Sequence, residues 1–293
     1  MPTPEWLAEQ FEQHRAHLRA VAYRMLGSAS EAEDAVQESW IRLGRADVSD
    51  VENLRGWLTT VVARLCLDML RTRTSRREDP LEVHVPDLVV TRADGDPEAD
   101  AVLADSVGVA LLVVLETLEP AERLAFVLHD VFGMTFDEIA PVVDRSPVAA
   151  RQLASRARRR VQSKAPSSER DLRQQRRVVD AFLAAAQEGD FEGLLAVLDP
   201  EIVLRADGGA IKGMSRIVRG AQAVASQAAT FSKSGLVNEV VLVNGNIGIL
   251  ARRADGRPFS VLGFTIAGGR IVEIDILADP ERIGRLDLSA LDR

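Results

Sequence analysis

The stretch Thr135–Val161, TFDEIAPVVDRSPVAARQLASRARRRV, constrains this chain more than any other. It reads as two helices joined by a sharp corner, the second rich in arginine. Thr135 and Glu138 stand at capping-box spacing, so the hydroxyl can cap a first helix while the carboxylate bonds back to the Thr135 N–H. Asp144-Arg145-Ser146-Pro147 then breaks and restarts the chain, with Ser146 as N-cap and Pro147 at the first helical position, where a missing N–H costs nothing. On a helical projection of 147–161, Ala150, Leu153, Ala154, Ala157 and Val161 share one face. Val148, Gln152, Ser155 and Arg159 lie opposite, flanked by Arg151 and Arg156. An apolar seam backed by that surface suits the major groove, because arginine can meet guanine bidentately, glutamine can meet adenine, and further arginines neutralise phosphates. The same pattern also describes a bundle helix with a solvated basic face, so the helix pair alone leaves both readings open.

Net charge argues the other way at first sight, since 44 acidic residues outnumber 36 basic ones. Local sign matters more for meeting a phosphate backbone. Residues 151–164 hold six Lys or Arg and no acid, residues 54–77 hold six Arg against Asp68, and residues 78–105 hold nine acids against Arg92. The single cysteine, Cys66, excludes an intrachain disulfide and a cysteine zinc cluster, and it reads as a small core residue in an apolar helical run. None of the four histidines has metal-ligand spacing; His129, after an apolar run, reads as a core or helix-end residue. No apolar run approaches the length of a membrane span and no basic-plus-apolar leader opens the chain, so a soluble, cytoplasmic protein without cofactor or metal is expected.

The apolar positions Leu18, Val21, Ala22, Met25 and Leu26 predict a helix ending at Gly27. A second helix is expected from Ser30, with acids in its first turn, and a third over the nearly continuous apolar run that begins at Leu54. Pro80, Pro86, Gly95 and Pro97 mark 78–105 as an acidic linker. Helical signals return at Ser106 and run to Lys164, and 165–170 forms a second linker. From Asp171 the character changes. Helices at about 171–188 and 191–198 precede the strand-like EIVLRAD, and a helix at about 214–231 precedes four strand signals separated by Asn244-Gly245, Asp255-Gly256 and Gly268-Gly269. Such dipeptides between alternating apolar runs predict hairpins, so 171–293 should be an α+β domain with a curved antiparallel sheet.

Ala32-Glu33-Asp34-Ala35-Val36-Gln37-Glu38-Ser39-Trp40-Ile41-Arg42-Leu43 resembles the segment of extracytoplasmic-function sigma factors that contacts RNA polymerase. Asn53-Leu54-Arg55-Gly56-Trp57-Leu58 and the helix after it resemble the region that opens and reads the upstream edge of the promoter bubble. Leu118-Glu119-Pro120 through Val161 resembles sigma region four, which reads the minus-thirty-five element. The three blocks stand in the family's order and spacing across about residues 8–164. The C-terminal part resembles a SnoaL-like cone, and its fusion to a sigma factor resembles the SigJ-type subgroup, in which the extra domain is thought to regulate in place of a separate anti-sigma protein. The resemblance implies a multidomain chain: region two over 1–77, region four over 106–164, and the cone over 171–293. It departs from the subgroup's motifs in three places. His84-Val85-Pro86-Asp87-Leu88 stands where a tryptophan-and-proline linker motif is expected, Asp207-Gly208-Gly209-Ala210-Ile211-Lys212 carries its lysine one place late, and Asp279-Pro280-Glu281-Arg282-Ile283 replaces a motif built on Asn-Pro-Asp.

The candidate residues follow from these blocks. Asp34, Gln37, Glu38 and Arg42 line one side of the second helix and suit a polar partner surface, the RNA polymerase core. Trp40 and Trp57 read as core rather than interface. Asn53 could cap the third helix or bond a flipped base edge, while Arg55, Arg64, Arg71 and Arg73 could track a single strand. Val148, Arg151, Gln152, Ser155, Arg156 and Arg159 form the promoter-reading set. Asp207, Gly208, Gly209, Lys212, Asp279, Pro280 and Glu281 form a regulatory set implied by the resemblance, with an intramolecular contact between cone and sigma domains. Asp275, facing with Glu273 away from Val272, Ile274 and Ile276, is the nearest acid for proton transfer, yet a general base also needs a pocket and a substrate, and no catalytic residue is assigned. A small ligand of unassigned chemistry in the cone stays open. Two rival readings remain, a one-component ligand-sensing regulator and an enzyme with a DNA-targeting module; block 32–43 speaks against the first, since a repressor does not require it.

Overall fold

Thr3 caps the first helix, α1 (Pro4–Leu26), by accepting from the Trp6 N–H at 3.2 Å, and Gly27, at φ 70°, ends it in the left-handed conformation that glycine adopts without steric cost. The computed structural model describes residues 3–48, 51–75, 83–93, 108–164, 171–211, 213–231, 234–289 and 291. The chain divides into two units, Met1–Glu78 with Val114–Lys164, and Asp79–Val113 with Ala165–Arg293.

In the first unit, α2 (Ala29–Leu43) starts after a Ser28 cap, slightly earlier than Ser30, and α3 (Leu54–Ser75) follows. Leu18, Met25 and Leu26 of α1 are buried with Val36 and Leu43 of α2 and Leu58, Val62 and Cys66 of α3. Full burial pushes the Cys66 thiol up to about 12, so it is an inert core group. Beyond α4 (Val109–Glu116), whose first residues belong to the second unit, come α5 (Pro120–Phe126) and a π-helical turn, Val127–Val131. His129 in that turn is half-buried, its Nδ1 2.8 Å from the Met134 carbonyl. The capping box is formed: the Thr135 N–H donates to Glu138 at 2.8 Å and the Glu138 N–H to Thr135 Oγ1 at 3.3 Å. These bonds hold the Glu138 carboxyl below its ordinary range. Helix α6 (Phe136–Val143) then turns at Asp144, φ 54°, and α7 (Pro147–Lys164) restarts under the Ser146 cap.

The second unit is built on one seven-stranded sheet. Helices α8 (Leu172–Glu188) and α9 (Phe191–Val197) lead into β2 (Leu198–Asp207), β3 (Arg216–Arg219), α10 (Ala221–Phe231), β4 (Val237–Val243), β5 (Asn246–Arg252), β6 (Pro258–Ala267), β7 (Arg270–Leu277) and a short α11 (Pro280–Ile283). With β1 (Val90–Arg92), the strand order is β1-β4-β5-β6-β7-β2-β3. Asn244 and Gly245 take φ 49° and 77°, and Gly268 and Gly269 take 57° and 77°, as two-residue hairpins of this twist require.

Three expectations change. The sheet is antiparallel except between β2 and β7, which run parallel because a long connection, not a hairpin, returns the chain beside β2. The helix expected over 214–231 starts only at Ala221; Arg216–Arg219 pair with β2, where Val218 stands opposite Leu204. Most consequential, the stretch read as the linker 78–105 contributes to the cone. Val85, Leu88 and Val90 are buried, and Val90 pairs with Val243 at the sheet edge. The prolines and acids masked the apolar run Val-His-Val-Pro-Asp-Leu-Val-Val, and an edge position tolerates a nearby proline. One sheet face packs Phe182, Leu194, Val224 and Ile274, and the other packs Val85, Val109, Val241, Leu277 and Ile283.

Candidate nucleic-acid interface and the cluster on the cone

Helix α7 buries Ala150, Ala154 and Ala157 completely and leaves Leu153 and Val161 half-buried, so the alanines of the seam read from the sequence form its packed face. The opposite surface presents Val148, Arg151, Gln152, Ser155, Arg156 and Arg159, all exposed. Val148, 64% exposed, is a large apolar side chain at the first turn, suited to a thymine methyl. Arg151 lies over the Phe136 ring at 5.3 Å, which aims it. Arg156 is placed differently from its neighbours: its Nε donates to Glu122 at 2.7 Å, and Arg160 donates to the same buried carboxylate at 2.9 Å. Arg156 thus anchors α7 to α5 as well as facing outward.

At the start of α3, Asn53 accepts from the Gly56 N–H at 2.9 Å, so it caps the helix with its remaining edge exposed. The expected arginines are not one free row. Arg71 is exposed beside Asp68, 3.8 Å away. Arg64 donates to the Pro141 carbonyl of α6 at 3.0 Å, and Arg73 donates to the Leu26 carbonyl at 3.2 Å and also pairs with Glu31. On α2, Asp34, Gln37 and Arg42 are exposed and Glu38 pairs with Arg42 at 3.1 Å. Trp40 is not the core residue expected: it is 38% exposed, with its ring against Phe11 at 5.0 Å. The exposed Ile41 extends that surface. Trp57 is only partly buried.

Arg55 reaches His17, a residue for which the sequence offers no signal. Its Nη2 is 3.1 Å from His17 Nδ1, and His17 Nε2 is 3.1 Å from Thr59 Oγ1. The imidazole meets Phe132 edge-on at 5.3 Å, joining α1 and α3 to the segment after the π-helical turn. Burial first, then the charges of Arg55, His14 and Arg24, lower the His17 pKa to about 4. The fold therefore favours the neutral ring, and the stability it contributes is complete above pH 6.5 and lost as pH falls toward 4. We expect chemical denaturation of the full chain to show that loss, and His17→Gln to flatten the pH dependence across the window.

The cone gathers part of the regulatory set, together with His84, Val85, Asp87 and Arg282, which stand in the divergent motifs but received no role from the sequence. Asp207, at the end of β2, is buried; its Oδ2 accepts from the Val85 N–H at 3.0 Å and from Arg282 Nη1 at 2.8 Å. Arg282 also donates to Asp87 at 2.9 Å and to the Val85 carbonyl at 2.5 Å. His84 Nδ1 lies 3.6 Å from the same Asp207 oxygen. Residues 83–92 therefore form a strap, held by β1 pairing at one end and by Asp207 and Arg282 at the other. Asp279 caps α11, accepting from Glu281 N at 2.9 Å and Arg282 N at 3.4 Å, which orients Arg282. Gly209 is required where it stands, since at φ 58° an added Cβ would fall 2.2 Å from Asp279 Oδ2. Gly208 is crowded likewise, since an added Cβ there would fall 2.1 Å from Met214 Cβ. Pro280 opens α11, and Glu281 turns outward to Arg285. Lys212 lies outside the described residues. Nothing in sequence spacing joins Arg282 to Asp87, 195 positions away.

Glu273 and Asp275 share the sheet face away from Ile274, as alternation predicted, but both bind Arg205, at 2.9 and 3.0 Å. Complete burial raises the Asp275 carboxyl to about 6, opposed by Arg205. Neither acid lines the cavity on the other face of the sheet. Among the described residues, no helix is long and apolar enough to cross a membrane.

Two helical regions carrying a helix-turn-helix, joined to an α+β cone, have the architecture of a transcription factor, and the family matches make it a promoter-reading one. Residues 10–76 match Sigma-70 region 2, and residues 108–161 match Sigma-70, region 4. The chain is 38% identical over 280 residues to the probable ECF RNA polymerase sigma factor SigI of Mycobacterium tuberculosis, covering 93% of each chain. It is 36% identical over 292 residues to SigJ of the same organism, covering 93% of this chain and 92% of that one. The crystal structure of SigJ matches with a TM-score of 0.76 at 34% identity, covering 96% of this chain and 99% of that one. The chain belongs to the extracytoplasmic-function (ECF) RNA polymerase sigma factors. It directs transcription initiation at promoters, and as a sigma factor it is not an enzyme.

Proposed function

We propose that α2 docks on the core of RNA polymerase through Asp34, Gln37, Glu38 and Arg42, and that α7 reads the minus-thirty-five element through Val148, Arg151, Gln152, Ser155 and Arg159. Asn53 and the exposed Arg55 and Arg71 meet the melted strand. The protein works in the cytoplasm, where polymerase and promoter are. Regulation in cis runs through the strap, and the observation that carries this reading is the hold of Asp207 and Arg282 on His84–Asp87. Regions two and four are packed together in the first unit, with Arg64 on the Pro141 carbonyl and Arg123 2.8 Å from the Met25 carbonyl. The minus-thirty-five element and the upstream edge of the bubble are separate sites along the duplex, each base pair between them adding about 3.4 Å. Reading both requires the two regions to part. The strap lies between them in the chain, so parting either carries the cone along or releases the strap. The cone is thereby coupled to the active state, as inhibitor or as activator.

Purified full chain, core polymerase and promoter DNA test the first part of this reading. Charge reversal at Asp34 and Glu38 should weaken holoenzyme formation about tenfold without unfolding the protein, as removal of complementary interface charge does. Unchanged core affinity would move the docking site elsewhere.

A further inference from the structure

The helix-bearing face of the cone encloses a cavity of about 150 Å³. Its walls are mainly apolar, with Phe182, Leu204, Ile249, Leu262 and Ile274 among them, and the exposed Gln187 and Asn238 mark its mouth. Among the described lining residues there is one cation, Arg216, and no carboxylate. Arg216 opens β3, and Val218, on the same side of that strand, packs into the core. The Arg216 Nε is buried and has no hydrogen-bond partner. Arg216 as a whole is half-buried, and a guanidinium in the wall of an otherwise apolar chamber offers its charge and planar fork to a carboxylate, the acceptor that matches both. A cavity of this size is comparable to engineered ones that take up benzene, so it holds a single ring or a short branched chain.

We propose that the cone binds a small apolar monocarboxylate, with the carboxylate on Arg216 and a ring-sized body among Phe182, Leu204, Ile249, Leu262 and Ile274. The acids of this domain near the sheet centre, Glu273 and Asp275, are committed to Arg205 and do not line the chamber, so the site binds without the residues for proton transfer. Ala206, Met214 and Ala278 of the cavity wall adjoin Asp207, Gly208 and Asp279, and the Ala278 N–H donates to the Asp207 carbonyl at 2.7 Å. Occupancy is therefore felt at the strand ends that hold the strap. That coupling rests on the cis-regulatory reading above, while the binding itself does not.

The test uses the full chain with phenylacetate and its uncharged counterpart phenylacetamide, read by NMR of labelled Leu and Ile methyls. Phenylacetate should give saturable shifts at Leu204, Ile249, Leu262 and Ile274, with the amide binding about tenfold more weakly. Arg216→Gln should weaken phenylacetate about tenfold and leave the amide unchanged, with the variant's remaining methyl spectrum confirming that it is folded. No saturable shift up to about 10 mM, or equal phenylacetate affinity in wild type and Arg216→Gln, would overturn the proposal. Amide hydrogen exchange at Val85 and Val89 reads the coupling separately: a change on saturation supports it, and no change severs the cavity from the strap. Failure to bind leaves cis-regulation standing, because Arg282→Met tests that without ligand.

Discussion

Arg282→Met should free the strap. The substitution removes the Arg282 charge that Asp207 and Asp87 share, and Asp207 is 1% exposed. Breaking a buried pair from one side costs about 3–5 kcal/mol, because the partner charge remains buried and uncompensated. The strap is held by fewer tertiary contacts than the central strands, so the loss should appear first as local release of residues 83–92. Hydrogen exchange should accelerate by at least about a hundredfold at Val85 while β6 and β7 stay protected. Transcription by the full-length variant should then differ from wild type on the same promoter and core enzyme. Equal exchange at Val85 would contradict the assigned hold, and released strap with unchanged transcription would make the cone a passenger. Asp207→Asn provides a second variant that keeps the shape and removes the charge. Point variants are preferable to cutting the chain at residue 170, since removing the cone would uncover Val85, Leu88, Val90 and Val109.

Replacing Arg151, Gln152 and Arg159 together with alanine should abolish promoter-specific binding. Each base-reading side chain is worth about 1–3 kcal/mol, so the triple variant should lose at least about a hundredfold in affinity, with relaxed preference at the positions read. All three are exposed on α7, so the fold should survive; a thermal melt within a few degrees of wild type would establish that. Arg156→Ala is the informative contrast. It removes one of two cations from the buried Glu122, so its main effect should be destabilisation of the α5–α7 pair rather than altered base preference. Unchanged promoter binding in the triple variant would show that another face of α7 enters the groove.

Local chemistry made much of this protein legible in its sequence. The capping box at Thr135, the Ser146-Pro147 restart, the alanine seam of α7 and the hairpins at Asn244-Gly245 and Gly268-Gly269 all depend on residues a few positions apart, and each stands where spacing placed it. The sigma resemblance also came from short blocks in a fixed order. Trp40 was misread because burial is a matter of what lies opposite: Phe11 covers one side of its ring and leaves the rest open. The strap was misread for the same reason. Its prolines and acids are properties of the segment, whereas its pairing partner Val243 and its ligand Arg282 lie more than 150 positions away.

The sequence by itself determined most element types, β1 and β3 excepted, the helix-turn-helix and its outward face, the α+β character of the last third, and the family. Tertiary structure alone decided that 83–92 completes the cone, that β2 and β7 run parallel, that Asp275 belongs to an ion-pair cluster away from the cavity, and that Arg216 stands in its wall without an acceptor. The physical reason is range: caps, turns and amphipathic faces are settled by neighbours within a few residues, while strand partners, buried ion pairs and cavities are settled by whichever distant groups the chain brings together.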